Sequence, residues 1–166
     1  MEIVRFFLPD QNYLEQVKAL YELHCQEILQ ALPKAQVEHV GATSVPGLLT
    51  KGDLDLQVSV SEQDFTEAVV TLRSIYAIHQ PENWTGSFAS FKLSQDAEIP
   101  VGIQLVVQCS ADDVFVKIRN LLVARPETVK ELNLLKQSYD GGDMSRYVEQ
   151  KGAFFTSLLQ ANTDSG

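Results

Sequence analysis

Two aspartates placed two residues apart, Asp53 and Asp55, are the side chains of this sequence best suited to chemistry. They fall in the stretch 53–60, where polar and apolar residues alternate, and this period of two predicts a β-strand with one buried face. The alternation puts both carboxylates on the same face, with their Cα atoms roughly 7 Å apart, twice the rise per residue. Carboxylates at this separation can bind Mg²⁺, which prefers oxygen ligands. The pair is therefore predicted to bind a metal ion and to be catalytic.

A turn that contains glycine and hydroxyl residues precedes the acidic pair. Within it, Gly41, Thr43 and Ser44 can present backbone N–H groups and hydroxyls to a phosphate. Lys51 follows, where its ammonium can meet a phosphate or pair with Asp53. A phosphate-binding loop before a metal-binding pair is what nucleotidyl transfer requires, because the metal bridges phosphate oxygens and orients an in-line attack. The structural alternative is that such short motifs are only a turn and a solvated strand face.

Helices and strands alternate around this stretch, which predicts an α+β or α/β fold. The pattern predicts a first helix from Pro9-Asp10 to about Leu32, a second that carries 65–72, and further helices from Asp112 onward that break at Pro126 and at Gly141-Gly142. It predicts strands over 36–40, 53–60, 75–78, 88–93 and 99–108. The last two strands are joined through Ser94-Gln95-Asp96. We expect strands 36–40, 53–60 and 99–108 in one mixed sheet, with helices packed on one of its faces. One domain is predicted over 1–160 and a disordered tail over 161–166.

The chain is acidic, with 13 Lys and Arg against 22 Asp and Glu and a formal net charge of −9. This balance argues against a broad nucleic-acid surface and against an anionic membrane, because both need clustered cations, whereas a small anionic ligand needs only a local pocket. Arg119, Lys136 and Lys151, in the predicted C-terminal helices, are candidates to bind phosphate there. No apolar run approaches membrane-spanning length and the N-terminus lacks a signal-peptide pattern, so a cytoplasmic location is predicted. The oligomeric state is left open.

The segment 38–60, EHVGATSVPGLLTKGDLDLQVSV, resembles the signature of the GrpB (UPF0157) family, which runs like EHIGSTSVPGLAAKPIIDILVGV. Shorter similar pieces follow the family's order: Leu8-Pro9-Asp10 with Tyr13, then 118–122, 125–127, Leu135-Lys136, and Tyr147 with Lys151. The resemblance spans about Phe7 to Leu159. It implies a fold similar to the DNA polymerase beta-like nucleotidyltransferases, in which helices cover a mixed β-sheet and the C-terminal third is helical.

Three departures from the family pattern bear on activity. Ala42 stands where the family has a serine, which removes one hydroxyl from the turn. Asp53 stands where the family usually has an apolar residue, so that the full Asp-x-Asp pair is present. The later strand reads Ile-Gln-Leu-Val over 103–106, with neither the family's histidines nor a carboxylate. A third metal-binding acid is therefore not identifiable.

Two functions have residues in their favour, and a third, a toxin–antitoxin-like partner protein, has none that is specific to it. The resemblance and the intact Asp-x-Asp pair favour a Mg²⁺-dependent nucleotidyltransferase that transfers a nucleotidyl group from a nucleoside triphosphate to an unknown acceptor hydroxyl or amine. The missing third carboxylate favours a non-catalytic nucleotide-binding or accessory module on the same fold; the family is also similar to a domain fused to dephospho-CoA kinase. His39, just before the glycine turn, is predicted either to orient a ligand or to make a structural hydrogen bond.

Overall fold

The computed structural model describes residues 1–93 and 96–165, and the predicted connection through Ser94 and Gln95 lies outside them. The strands are β1 (Gln36–Val40), β2 (Leu54–Val60), β3 (Ala77–Ile78), β4 (Phe88–Lys92) and β5 (Val101–Val107). The helices are α1 (Gln11–Ala31), α2 (Phe65–Arg73), α3 (Phe115–Ala124), α4 (Pro126–Tyr139) and α5 (Met144–Ser165). Each strand and helix expected from the sequence is present, with bounds that differ by at most a few residues.

The five strands form one mixed sheet in the order β1-β2-β5-β4-β3. β2 pairs with β5 in parallel, and the other described pairs are antiparallel. In this register Asp55 lies beside Val40 on one neighbour and beside Gly102 on the other, and Gln57 lies beside Gln104. Laterally paired residues project to the same face, so these side chains share one side of the sheet. The predicted α+β fold with a mixed sheet is confirmed.

The opposite face of β2 carries the apolar residues of the alternating pattern. Leu54, Leu56 and Val58 are fully buried, in one cluster with apolar residues of α1 and α2. Burial of side chains of this size stabilises the fold by about 1.5–3 kcal/mol each. The alternation therefore identified the apolar face of the strand correctly, but the single buried face that it predicted is wrong, since Gln57 and Ser59 on the other face are buried too.

Helices cover both faces of the sheet, so the expectation that they pack on one face is wrong. Gln57, on the face that carries Asp55, donates from Nε2 to Asp113 Oδ1 just before α3 at 3.2 Å. On the same face Phe115 of α3 stacks on Phe88 of β4, with ring centroids 6.4 Å apart. The second face needs this cover because it also carries apolar residues, including Val40 and Val106, which are at most 1% exposed.

The C-terminal helices build a second apolar cluster with the loop that follows β1. Its buried members are Val45, Leu48, Leu122, Val129, Leu132 and Leu158. Pro126 begins α4 at a position where the missing N–H is not needed, which explains the break after α3. α5 continues to Ser165, so residues 161–165 are helical where a disordered tail was expected; Thr163 Oγ1 donates back to Leu159 O at 3.1 Å within that helix.

The N-terminal segment is hydrogen-bonded both to the loop before β2 and to the turn between α4 and α5. Phe7 and Thr50 exchange backbone hydrogen bonds of 2.9 Å in each direction. Gly141 N donates to Val4 O at 2.8 Å, which fixes the turn between α4 and α5. Among the described residues, no helix is both long and apolar enough to cross a membrane.

Candidate functional site

A cavity of about 410 Å³ lies between the Asp55 face of the sheet and the C-terminal helices. Of the site residues expected from the sequence, those that line it are Gly41, Lys51, Asp53, Asp55, Arg119, Lys136 and Lys151. The α3 residues that line it are Phe115, Ile118, Arg119 and Leu122, and the α5 residues are Tyr147, Val148, Lys151 and Phe155. This spacing places each set along one side of its helix. The cavity that the described residues enclose is not lined by Thr43 or Ser44.

Two glycines lie against the Asp55 carboxylate. Gly41 has φ +77°, and a Cβ built on it would overlap Asp55 Oδ2. A Cβ on Gly102, the neighbour of Asp55 on β5, would lie 3.0 Å from Asp55 Oδ1. Glycine is thus required at position 41 for two reasons: the positive φ of the backbone and the close approach of the Asp55 carboxylate. The backbone forms a narrow slot around both oxygens of Asp55.

Burial raises the pKa of Asp55 to about 6, and the neighbouring Asp53 charge adds to the rise. The ammonium groups of Lys151 and Lys51 and the side-chain amide of Gln104 act in the opposite direction. Two carboxylates side by side disfavour simultaneous ionisation, which is why a cation in their midst is favourable. A divalent cation would hold both groups ionised at neutral pH.

Three lysines supply positive charge around these carboxylates. Lys51 Nζ lies 3.8 Å from Asp53 Oδ2. Lys136 is only 4% exposed; its Nζ donates to Leu49 O at 2.6 Å and lies 5.5 Å from the centre of the Phe6 ring. Burial, together with the nearby Lys151 and Lys51 charges, lowers the pKa of Lys136 to about 7.

Lys151 projects from α5 into the same cavity. Its Nζ lies 5.5 Å from the centre of the Tyr147 ring, and burial lowers its pKa, with Lys51 lowering it further and the two aspartates opposing the change. A chain with a net charge of −9 therefore concentrates three ammonium groups at one cavity. Buried cations are unfavourable without a partner, so their convergence indicates a site for an anionic ligand.

Arg119 lines the cavity, but its guanidinium is already engaged. Nη1 donates to Glu38 Oε2 at 2.8 Å and to His39 O at 2.9 Å. Nε and Nη2 both donate to Asn120 Oδ1 at 3.1 Å. This residue fixes α3 against the end of β1 and forms part of the cavity wall.

The hydroxyls of the turn are used inside the protein. Thr43 Oγ1 donates to Asp53 O at 3.1 Å, so the 2.9 Å contact with His39 is donated by the ring Nε2. Ser44 Oγ donates to Gly41 O at 2.6 Å. Burial and the Arg119 charge lower the pKa of His39 to about 4, which keeps the ring neutral. Of the two roles expected for His39, the structural hydrogen bond is the one observed.

Sequence reasoning did not select Gln104, Gly102 or Phe6. Gln104 lines the cavity from β5, two residues after the lateral neighbour of Asp55, and among the described residues no donor reaches its buried Oε1. It lies in β5, the strand whose sequence contains no acid. The pairing of β5 with β2, which brings Gln104 near Asp55, cannot be predicted from a local sequence pattern. The described part of the chain contains no group of three His, Cys, Asp or Glu residues arranged to hold a metal ion.

Comparisons with known proteins agree with this architecture. The family model described as GrpB protein matches residues 11–161. A UPF0157 protein of Vibrio cholerae is 30% identical over 94% of this chain and 82% of its own length. A UPF0157 protein of Deinococcus radiodurans is 26% identical over 89% of this chain and 78% of its own.

Solved structures extend the comparison to the fold. The crystal structure of the conserved protein GrpB from Enterococcus faecalis has a TM-score of 0.68 at 18% identity, and the match covers 96% of this chain and 99% of that one. The Cid1 poly(U) polymerase with bound MgGTP has a TM-score of 0.55 at 14% identity, and the match covers 76% of this chain but only 42% of Cid1. Identities this low establish the nucleotidyltransferase-like fold and no more.

Proposed function

We propose that this chain, which belongs to the GrpB protein family, binds a Mg²⁺–nucleoside triphosphate in its cavity and transfers the nucleotidyl group to an acceptor hydroxyl or amine. The observation that carries the proposal is the convergence of Asp53 and Asp55 with three lysines on one cavity of about 410 Å³. That volume is within the range of small-molecule sites. Cid1, which shares the fold, is described with bound MgGTP and with bound MgATP.

The residues present suit a magnesium ion. Asp53 and Asp55 would hold it, since hard carboxylate oxygens are its preferred ligands and phosphates or water complete its shell. The slot that Gly41 and Gly102 leave around Asp55 keeps both carboxylate oxygens close to the backbone. When bound, the ion would neutralise charge that develops on the phosphate oxygens.

The lysines would bind the phosphate chain. Lys51, Lys136 and Lys151 present ammonium groups to the cavity, and among the described residues Asp53 is their close carboxylate partner, so phosphate oxygens would complete their hydrogen bonding. Gly41 would contribute its backbone beside the phosphates. Thr43, Ser44 and Arg119 would act indirectly, by holding the turn, Asp53 and α3 in place.

The reaction would be an in-line displacement at the α-phosphorus. A bond forms between the acceptor oxygen or nitrogen and phosphorus, the bond to the β-phosphate oxygen breaks, and pyrophosphate leaves while the acceptor loses its proton to solvent. The chain's residues would contribute mainly by positioning and by fixed charge. Lysine charges beside the departing pyrophosphate would stabilise it as it forms.

A second candidate is a nucleotide-binding module that does not catalyse transfer. The observation in its favour is the lack, among the described residues, of a third acid beside Asp53 and Asp55. Both candidates use the same cavity and the same ligand, so binding is common to them and label transfer separates them.

Incubation with Mg²⁺ and α-³²P-labelled nucleoside triphosphates in a fractionated cell extract would test for transfer. We expect label in a product made by the wild type and not by Asp55→Asn. Binding of the nucleotide without any labelled product would support the module instead.

Calorimetry with lysine variants would test the binding mode. We expect Lys136→Met to weaken MgATP binding roughly tenfold, about 1.4 kcal/mol. Lys34→Met removes the same charge from an exposed turn and should leave binding unchanged. Equal effects of the two variants would show that only the net charge of the protein matters.

A further inference from the structure

We infer that the cavity binds one divalent cation with its nucleotide, not two, and that Gln104 is the residue that sets this number. The inference rests on the proposed function, because it concerns the metal that would accompany the bound triphosphate. It goes further in assigning a metal stoichiometry and a positioning role to a neutral side chain.

The carboxylate supply of the cavity limits the number of cations. Two-metal sites hold their ions about 3.5–4 Å apart and need carboxylates that contact both. Asp53 and Asp55 are the carboxylates that line the cavity formed by the described residues. His79 also lines it, but Mg²⁺ prefers oxygen ligands, and no group of three potential ligands forms within the described chain. Two acids suffice for one cation that shares its shell with phosphates.

Gln104 occupies the position from which a third acid would reach the pair. β5 runs parallel to β2 and places Gly102 directly beside Asp55, with Gln104 two residues further on the same face. Because Gly102 has no side chain, the Gln104 amide extends toward the Asp55 carboxyl and acts on its charge. The amide nitrogen of Gln104 lies on the Asp55 side, so this position supplies a hydrogen-bond donor and none of the negative charge that a second dication requires.

The lysines oppose a second cation further. Lys51 lies 3.8 Å from Asp53, and the Lys151 charge acts on both Asp53 and Asp55. Lys136 adds a third ammonium on the same cavity. In a two-metal site the second ion neutralises phosphate oxygens, and here the lysine ammonium groups would do so instead. The same ammonium groups would repel a second divalent cation at short range.

Equilibrium dialysis with Mn²⁺ and α,β-methylene ATP, which resists cleavage between its first two phosphates, would count the ions. We expect the wild type to retain Mn²⁺ and nucleotide in a ratio of about one. Gln104→Glu, which is nearly isosteric and adds a carboxylate, should raise the ratio to about two. Gln104→Met, which is neutral and of similar length, should keep it at one. Circular dichroism would check that each variant is folded.

The outcomes separate this inference from the function on which it rests. Retention of two Mn²⁺ per nucleotide by the wild type would overturn the inference and leave the proposed function standing. A folded Gln104→Glu protein that still retains one Mn²⁺ would overturn the role given to Gln104. Absence of nucleotide retention in every variant would overturn both proposals. If Gln104→Glu does not fold, the wild-type ratio alone still decides the number of ions.

Discussion

On one face of β2, Leu54, Leu56 and Val58 are fully buried against apolar residues of α1 and α2. On the other face, Asp53 and Asp55 line a cavity together with three lysines. Each apolar side chain that is buried on the first face stabilises the folded state. The polar face has a depressed lysine pKa and a raised aspartate pKa, which mean that its charges are held against their own desolvation.

The apolar face therefore stabilises the fold, whereas the polar face is arranged for a ligand. Charges that lower the stability of the fold and converge on a cavity indicate a binding site, because a bound ligand of opposite charge would offset that loss of stability. Changes on the apolar face should therefore alter stability and spare ligand binding, and changes on the polar face should do the reverse.

The largest effect on stability should come from Leu56→Ala. Leu56 is fully buried, and truncation of such a leucine lowers the free energy of unfolding by about 2–5 kcal/mol. Urea denaturation measures the loss, and Val70→Ala, at a site 64% exposed on α2, should change it by less than about 0.5 kcal/mol. Folded Leu56→Ala should bind MgATP as the wild type does; a selective loss of binding would break the distinction between the faces.

A matched pair of glycine variants tests the slot around Asp55. Gly41 and Gly47 have nearly the same φ, +77° and +78°, so alanine at either should strain the backbone by about 1–2 kcal/mol. A Cβ at position 41 would also collide with Asp55 Oδ2, whereas a Cβ at position 47 would meet no described atom within 4 Å beyond its own chain neighbours. We expect only Gly41→Ala to abolish MgATP binding in calorimetry. Equal loss of binding in both would mean that the turn, and not the carboxylate, is what the glycine protects.

The smallest effect on stability should come from Asp55→Asn in the absence of metal, and it depends on pH. The folded protein holds the Asp55 proton up to about pH 6, above the ordinary range, so the wild type loses stability as pH rises through that value. Asparagine has no proton to lose. In urea denaturation with EDTA, the free energy of unfolding of the variant relative to that of the wild type should therefore rise by about 1 kcal/mol between roughly pH 5 and pH 7. A constant difference across this range would mean that Asp55 is not held protonated by its surroundings.

The sequence predicted the fold better than the site because the fold depends on local patterns. Alternation over 53–60 identified β2 and its apolar face, and Pro126 and Gly141 marked the breaks between C-terminal helices. The placement of helices on both faces was missed. That arrangement depends on contacts between distant segments, such as Gln57 with Asp113, which no local period encodes.

The candidate site residues that line the cavity come from two parts of the chain. The continuous segment 41–55 supplies Gly41, Lys51, Asp53 and Asp55, and the C-terminal helices supply Arg119, Lys136 and Lys151. The hydroxyls of Thr43 and Ser44 follow the same motif, yet they bond to nearby backbone oxygens, since a short polar side chain in a turn bonds locally first. Gln104 could not be selected, because its importance comes from the parallel register of β5 beside β2.

The melting temperature with Mg²⁺ and a nucleoside triphosphate, each alone and both together at millimolar levels, tests most directly that the polar face is a metal–nucleotide site. A ligand that binds only the folded state raises the melting temperature. Because the metal would bridge carboxylates and phosphates, we expect the rise with both to exceed the sum of the separate rises. Asp55→Asn should lose this excess, and Glu149→Gln, which removes an exposed charge from α5, should keep it. If neither ligand, alone or together with the other, changes the melting temperature of the wild type, the polar face is not a metal–nucleotide site.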